Sequence, residues 1–427
     1  MPRYIIDEAK LEANLQVLAS VRERAGVKVL LAQKAFSCFE LYPLVAKYLD
    51  GATASGLFEA RLAHEKMPGK ENHVFAPAFR VEDMPELLRA VNHIVFNSPR
   101  QLEKFGAMAR AAGVSVGLRV NPEVSVATTP AYDPCRPGSR LGTTRGNWES
   151  YCSQISIATN VHKSQISIPS LVDGLHFHCL CEQGVDELRM VLAGFEAKFG
   201  DLLPQMKWVN FGGGHHITRA DYDVDGLVAL LLDFRSRHPH LTVYLEPGEA
   251  VALNAGTLEA RVLEIQPPGD DGVSNAILDV SAACHMPDVL EMPYTPRVSG
   301  ASALSGPSAL SGASPLSVAS RLSSEGTLRP EGPLSAAGAL NHEGAFENIY
   351  RFGGPTCLAG DEIGVYGFDR PLEEGDMVVF EDMAIYSMVK NNTFNGMPLP
   401  DIAIRRKDGS IETIRAFGYE DFASRLG

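Results

Sequence analysis

The sequence predicts an eight-stranded β/α barrel of the TIM type followed by a β-rich domain, and three observations lead there. Short apolar runs alternate with helical stretches from residue 27 to residue 247, these runs number eight, and after residue 256 strands continue without long helices between them. Eight alternations over about 220 residues suit a closed barrel better than an open doubly wound sheet, whose usual strand count is five or six. The chain has 427 residues, too many for one ordinary core, so two domains are expected: 12–255 as the barrel, and 1–11 with 256–427 as a β domain of sandwich or small-barrel type.

The N-terminus, MPRYIIDEAKLEANL, carries acids and helical spacing of Leu11, Leu15 and Leu18, and so reads as folded protein and not as a signal peptide. The barrel runs follow in order: VKVLLAQ, GATAS, HVFAPA, HIVFNS, VSVGLRVN, DGLHFHCL, WVNFGGG and TVYLEPG. Polar residues collect at their ends, namely Lys34, Ser55, Asn97, Arg119, His176, His178, Gly212 to Gly214 and Glu246. In such barrels the C-terminal rim of the strands carries the chemistry. Beyond residue 256, TLEARVLEIQ, NAILDVSAA, DEIGVYGF, DMVVFEDM, AIYSMVKN and DIAIRRKDGSIETIRAF read as strands, the last with a DG hairpin turn.

Two segments fit neither core. Residues 299–345 are rich in Ser, Ala, Gly and Pro and lack the large apolar residues that offset ordering entropy, so a mobile surface loop is expected, with a partner-binding tether as the alternative. Residues 150–170 repeat SQISI eleven positions apart with polar and apolar residues alternating, which suggests an extra hairpin on a barrel loop.

Composition narrows the function. Hydrophobic residues make up 45% and charged residues 21%, and no apolar run reaches the length of a membrane span, so a cytoplasmic protein is expected. A net charge of −14 without clustered Lys and Arg argues against nucleic-acid binding and is compatible with a cationic ligand. Seven cysteines without paired CxxC spacing suggest neither a disulfide framework nor a zinc site.

The chemistry gathers in a few short strings. VLLAQKAF sets Lys34 at the end of an apolar strand, where a cation usually has a partner; the other reading is that Lys34 simply emerges into solvent where the strand stops. FGGGHH follows the seventh strand, where barrels commonly hold a phosphate, and three glycines can turn successive N–H groups toward an anion; a plain tight turn is the other reading. LEPGEA ends the eighth strand on Glu246, which could keep a ring nitrogen protonated or could simply cap a helix. HFHC puts His176 and His178 on one strand face, suited to stacking on a flat ring, to the core, or to a metal, although no third ligand is evident and no metal is expected. A lysine, a phosphate cradle, a facing acid and a stacking imidazole together describe a pyridoxal 5'-phosphate site.

On these strings, with YDPCRPGSRLG, ILDVSAACHMPDVLEMPY, GGPTCLAGD and KNNTFNGMPLP, the chain resembles the fold-type III, alanine-racemase-like decarboxylases, and among them the carboxynorspermidine (carboxyspermidine) decarboxylases. The resemblance covers nearly everything but the two insertions. It implies that Lys34 holds the cofactor covalently, His178 stacks on its ring, Glu246 meets the pyridine nitrogen, Gly212, Gly213 and Gly214 hold the phosphate, Tyr386 reaches that phosphate, and Arg119 lies beneath the ring. Cys357, in GPTC, matches a proton donor that relatives contribute across a dimer interface, so a homodimer with shared sites is implied. The implied reaction removes the α-carboxylate of carboxynorspermidine or carboxyspermidine, giving norspermidine or spermidine.

Ornithine and diaminopimelate decarboxylases have an arginine after EPG, where this chain has Glu249. An acid there suits a substrate rich in ammonium groups and argues against a distal carboxylate. Asp288 is the second residue assigned to the substrate amine, with a surface turn acid as its alternative. Rival readings are another decarboxylase of this fold, an amino-acid racemase, and an inactive cofactor-binding regulator.

Overall fold

The computed structural model describes residues 1–159, 172–305 and 346–427, which form two compact units: residues 9–253, and residues 1–8 together with 254–427. Strand β1 (Arg3–Asp7) belongs to the second unit. The first unit is a closed barrel of eight parallel strands, β2 (Lys28–Ala32), β3 (Gly51–Ala54), β4 (Glu71–Phe75), β5 (His93–Phe96), β6 (Ser115–Arg119), β7 (Gly174–His176), β8 (Trp208–Asn210) and β9 (Thr242–Leu245). It closes where Lys28 pairs with Tyr244 and Val29 with Leu245.

Each strand is short and apolar because both of its faces are covered, one by the barrel interior and one by helices. The helices show the matching 3.6-residue pattern. Pro99–Ala111 starts at Ser98, whose hydroxyl accepts the Gln101 N–H, and buries Leu102, Phe105, Gly106 and Ala109 at i, i+3, i+4 and i+7. Val224–Arg237 starts at Asp223, which accepts the Gly226 N–H at 2.8 Å, and buries Leu227, Val228, Leu230, Leu231 and Phe234. Helix Glu8–Ala25 buries Leu11, Leu15 and Leu18, as their spacing suggested.

The N-terminal end of the barrel is plugged. Leu30, Val95, Trp208 and Tyr244 pack together, with Phe75 against them. Below them Lys28 pairs with Glu71, the Tyr244 hydroxyl donates to the same carboxylate at 3.0 Å, and the His73 and His93 rings stack 4.0 Å apart. With its floor filled, the barrel is left with its C-terminal rim as the face for a small molecule.

The second unit is a nine-stranded mixed sheet. Beyond β1 it contains β10 (Gly256–Gln266), β11 (Ser274–Leu278), β12 (Ala301–Ser305), β13 (Asn348–Gly353), β14 (Glu362–Phe368), β15 (Met377–Glu381), β16 (Asp401–Arg405) and β17 (Ile411–Arg415). Strand β1 lies between β10, antiparallel, and β16, parallel. The long β10 pairs with β15 along its first half and with β11 from Val262 onward, across an irregularity between Val262 and Glu264. The β16–β17 hairpin turns at Asp408–Gly409, the DG pair, with Gly409 at φ +86°. Tyr350, Phe352, Tyr366, Phe368 and Phe380 form its aromatic core.

Three expectations need correction, and one strand was not anticipated. Residues 301–305 of the Ser/Gly-rich segment form edge strand β12 on β14, because backbone pairing to one neighbouring strand needs no large side chains; residues 306–345 lie outside the described residues. The first SQISI lies in helix Arg145–Thr159, not in a hairpin: Trp148 and Cys152, one helical turn apart, are both buried and set the helical period. The second SQISI lies outside the described residues. AIYSMVKN is not a strand but a turn leading into the short helix Ser387–Lys390, and NIYRFG, unassigned from sequence, is the inner strand β13.

Candidate active site

Because all eight barrel strands run in parallel, residues at their C-terminal ends meet at one rim. Lys34 stands two residues past β2 in a turn braced from below: Gln33 N–H donates to the Thr53 carbonyl at 3.2 Å, and the Tyr42 hydroxyl donates to Gln33 Oε1 at 3.0 Å. The Lys34 side chain retains solvent-accessible surface although protein crowds its amine, as fits a side chain reaching into an open mouth. Burial, then the Arg119 guanidinium, push that amine below the ordinary lysine range, while Glu246, Glu249 and Cys181 pull the other way. The lysine, the arginine and the two acids therefore share one mouth.

Glu246 follows β9 directly and is held from two sides. Asn210 Nδ2 donates to its Oε1 at 2.8 Å, and His176 Nε2 faces its Oε2 at 3.2 Å. Burial alone would raise the Glu246 carboxyl, but these partners outweigh it and keep the group below the usual carboxylate range. Burial also pushes His176 down, so near neutral pH it acts as a neutral N–H donor, and its other ring nitrogen is a buried lone pair without a partner among the described residues. The lasting support of the carboxylate is thus hydrogen bonding, with an amide as its shortest donor.

The triple glycine is a packing device. A Cβ on Gly212 would lie 2.7 Å from both the His178 Cβ and the Phe177 carbonyl oxygen, and one on Gly213 or Gly214 would collide with the carbonyl oxygen of Glu246 or Leu180. Gly212 and Gly214 also take φ of +69° and +87°. Gly212 N–H donates to Asn210 Oδ1 at 2.8 Å and Gly213 N–H to His178 Nδ1 at 3.1 Å. The run therefore does not offer three successive donors to an anion, as the sequence suggested. Gly214 N–H is the donor of the run without an acceptor among the described residues.

His178 is half-buried, and desolvation, then the Lys34 and Arg119 charges, hold it well below the ordinary histidine range. Arg119, the last residue of β6, donates to the His178 carbonyl at 3.0 Å and lies 4.5 Å over the Phe75 ring. Glu249 is not a bare acid: His216 Nε2 lies 2.7 Å from its carboxylate. Burial would lower His216, but the bond to Glu249 raises it above its usual value. Glu182, His216 and Glu249 present donor atoms within 4.8 Å of one another, as do Glu71, His73 and His93 at the barrel floor; His176 and His178 belong to neither group.

Cys357, Tyr386 and Asp288, the remaining candidates from sequence, lie in the sheet unit. Cys357 is exposed in the loop between β13 and β14. That loop is anchored by the buried Asp361, which accepts from Thr356 Oγ1 at 2.6 Å, Ser281 Oγ at 2.9 Å and the Ala283 N–H at 3.2 Å. Tyr386 has φ +49° and ψ −50°, a conformation few side chains tolerate. Asp288 corrects the sequence reading: it is 6% exposed and paired with Lys390, which also reaches Glu291 at 2.7 Å, so it is neither a surface turn acid nor an unclaimed partner for a substrate amine.

Sequence reasoning missed Asn210, His216 and Asp361. Asn210 had one signal, its place as the last residue before FGGG; the other two show only in the partners they meet across the fold.

No protein-family model matches the chain. It is 41% identical over 424 residues to a carboxynorspermidine/carboxyspermidine decarboxylase of Campylobacter jejuni, covering 99% of this chain and 98% of that one. It is 38% identical over 426 residues to a carboxyaminopropylagmatine decarboxylase of Synechocystis sp., covering 100% and 95%. Among solved structures, carboxynorspermidine decarboxylase from C. jejuni complexed with norspermidine superposes with a TM-score of 0.80 at 39% identity over 100% of this chain and 99% of that one. Diaminopimelate decarboxylase from Helicobacter pylori shares the fold at a TM-score of 0.71 and 16% identity, over 100% and 96%. With full-length likeness at this level and a barrel rim that gathers a lysine, an arginine and two acids, the chain belongs to the carboxynorspermidine/carboxyspermidine decarboxylase family.

Proposed function

We propose that this protein removes the α-carboxylate of a carboxylated polyamine, carboxynorspermidine or carboxyspermidine, with pyridoxal 5'-phosphate as cofactor. The convergence of Lys34, Arg119, Glu246 and Glu249 on one barrel mouth carries this reading. The residues fit that cofactor. An amine with lowered basicity suits covalent attachment to an aldehyde, a carboxylate held ionised suits a protonated ring nitrogen, a neutral imidazole suits a ring face, and Gly214 N–H suits a phosphate oxygen.

When bound, the cofactor supplies an electron sink for the pair left behind as carbon dioxide departs. The chain's own residues do the rest. Lys34 Nζ would bind the aldehyde and later release the product amine. Glu246 would keep a proton on the ring nitrogen, and His178 would hold the ring flat. Gly214 would bind the phosphate, a role the family resemblance also gives to Tyr386, and Cys357 Sγ, contributed by a second copy of the chain, would deliver a proton to the α-carbon. Glu249, sharing its charge with His216, would attract the substrate's ammonium groups, and Asp288 would join it only by exchanging Lys390 for a substrate amine.

A second reading of the substrate rests on the Synechocystis relative: carboxyaminopropylagmatine ends in a guanidinium, which an acidic rim would also attract. Carboxynorspermidine and carboxyspermidine differ by one methylene, worth about 1–3 kcal/mol in a pocket. Measuring kcat/KM for carbon dioxide release from all three compounds tests the proposal. A preference for either carboxylated triamine supports it, a preference for carboxyaminopropylagmatine moves the substrate, and no release from any of them refutes it.

A further inference from the structure

Asn210 is the last residue of β8 and has no exposed surface. Its side-chain amide does two jobs at once: Nδ2 donates to Glu246 Oε1 and Oδ1 accepts the Gly212 N–H, each at 2.8 Å. The two partners are also joined through the backbone, since Glu246 N–H donates to the Gly212 carbonyl at 2.8 Å. The Asn210 backbone carbonyl accepts the Phe177 N–H at 2.9 Å, which ties β8 to β7 beside His178. A closed set of bonds therefore links the acid after β9 to the glycine turn after β8, with one amide at its centre.

Few side chains can occupy that centre. The carboxylate requires a donor and the glycine N–H requires an acceptor, which also fixes which way the amide faces. Aspartate would still accept from Gly212 but would set a second carboxylate against Glu246. Leucine would fill the space and leave two buried polar groups unpaired, at a cost of about 1–3 kcal/mol each.

We propose that Asn210 is a positioning residue that locks the Glu246 carboxylate to the triple-glycine turn, so that the ring-nitrogen end and the phosphate end of the cofactor site move as one rigid unit. This rests on the reading of Glu246 and the glycine turn as those two ends. Ligand-bearing groups elsewhere are oriented by similar outer partners, whose loss typically lowers affinity about 10–100-fold.

The test measures the apparent Kd of the full-length apoprotein for pyridoxal 5'-phosphate by absorbance titration, and the pH at which the bound cofactor's spectrum changes, in wild type, N210A, N210D, E246A and N210A/E246A. N210D keeps the shape and the acceptor but loses the donor to Glu246. Expected are a tenfold or greater rise in Kd for N210A and N210D, a shifted spectral pH midpoint in N210D, and little further loss when N210A is added to E246A. A lowered melting temperature with wild-type Kd and wild-type spectral midpoint in both Asn210 variants makes the residue merely structural and overturns the proposal. Additive losses in the double variant overturn it as well. If E246A itself leaves Kd and spectrum unchanged, the underlying assignment of Glu246 fails instead, and the coupling with it.

Discussion

Gly213 donates its backbone N–H to Nδ1 of His178 across 3.1 Å, so a glycine with no side chain selects the tautomer of a half-buried imidazole. With Nδ1 as acceptor, the proton must sit on Nε2. Burial, followed by the charges of Lys34 and Arg119, keeps the ring neutral. Nitrogen NMR of histidine-labelled protein should show His178 as a neutral Nε2–H ring that does not titrate around neutral pH. Titration near the ordinary histidine value would contradict this.

A different neighbour, the Glu246 backbone, makes Gly213 intolerant of a side chain. In G213A the new methyl would collide with the Glu246 carbonyl, costing about 1–3 kcal/mol as overpacking does. G146A is the control, because a Cβ there meets nothing within 4 Å among the described residues. Thermal melts should fall for the first and stay level or rise slightly for the second.

Lys34 should be less basic than a surface lysine, since burial and Arg119 both disfavour its charged form. In the apoprotein it should react with amine-directed reagents at a lower pH than exposed lysines do, as peptide mapping over a pH series would show. In the protein loaded with pyridoxal 5'-phosphate and reduced with borohydride, the cofactor's mass should appear on the peptide bearing Lys34 and vanish in K34A. An adduct on another lysine would redirect the assignment.

At the opposite end of the barrel Glu71 should set acid sensitivity. Burial would raise its carboxyl, but the bonds from His73 and Lys28 outweigh that and bring it to about 2. A carboxylate depressed in the folded state stabilises fully above its unfolded value, and that contribution disappears as pH falls from the ordinary carboxylate range toward 2. The stabilisation amounts to at most about 3 kcal/mol near neutrality. Chemical denaturation at a series of pH values should show E71Q less stable than wild type at neutral pH, with the gap closing in acid.

His216 shows the opposite sign. Burial opposes its charge, but Glu249 raises it above the usual histidine value, so the pair stabilises fully below that value and loses its effect as pH rises through the raised one. In E249Q the proton-NMR titration of His216 should move to lower pH. If Glu249 also attracts substrate, KM for the polyamine should rise roughly tenfold while kcat changes less. An unmoved His216 titration would separate the two residues.

Cys357 and Asp361 should divide chemistry from architecture. Cys357 is exposed, so C357A should melt like wild type yet lose turnover. D361A removes the acceptor of three hydrogen bonds in a buried place and should cost about 2–3 kcal/mol, a fall of several degrees in Tm. Equal melting of both variants would remove the anchoring role of Asp361.

What the sequence determined by itself was local in origin. Strand and helix periods read over ten to fifteen residues marked all eight barrel strands, and polar residues at strand ends marked one rim, because parallel strands necessarily bring those ends together. The DG turn was legible for the same reason: two residues fix its backbone. What only the tertiary structure decided was the partner of each charged or polar group. Glu249 answers to His216, 33 residues away, Asp288 to Lys390, 102 away, and Glu246 to Asn210 and His176, 36 and 70 away. Such pairs depend on where distant segments pack and not on local preference. A buried acid carries the charge its neighbours permit, so the strings named the candidates and the packing assigned their states.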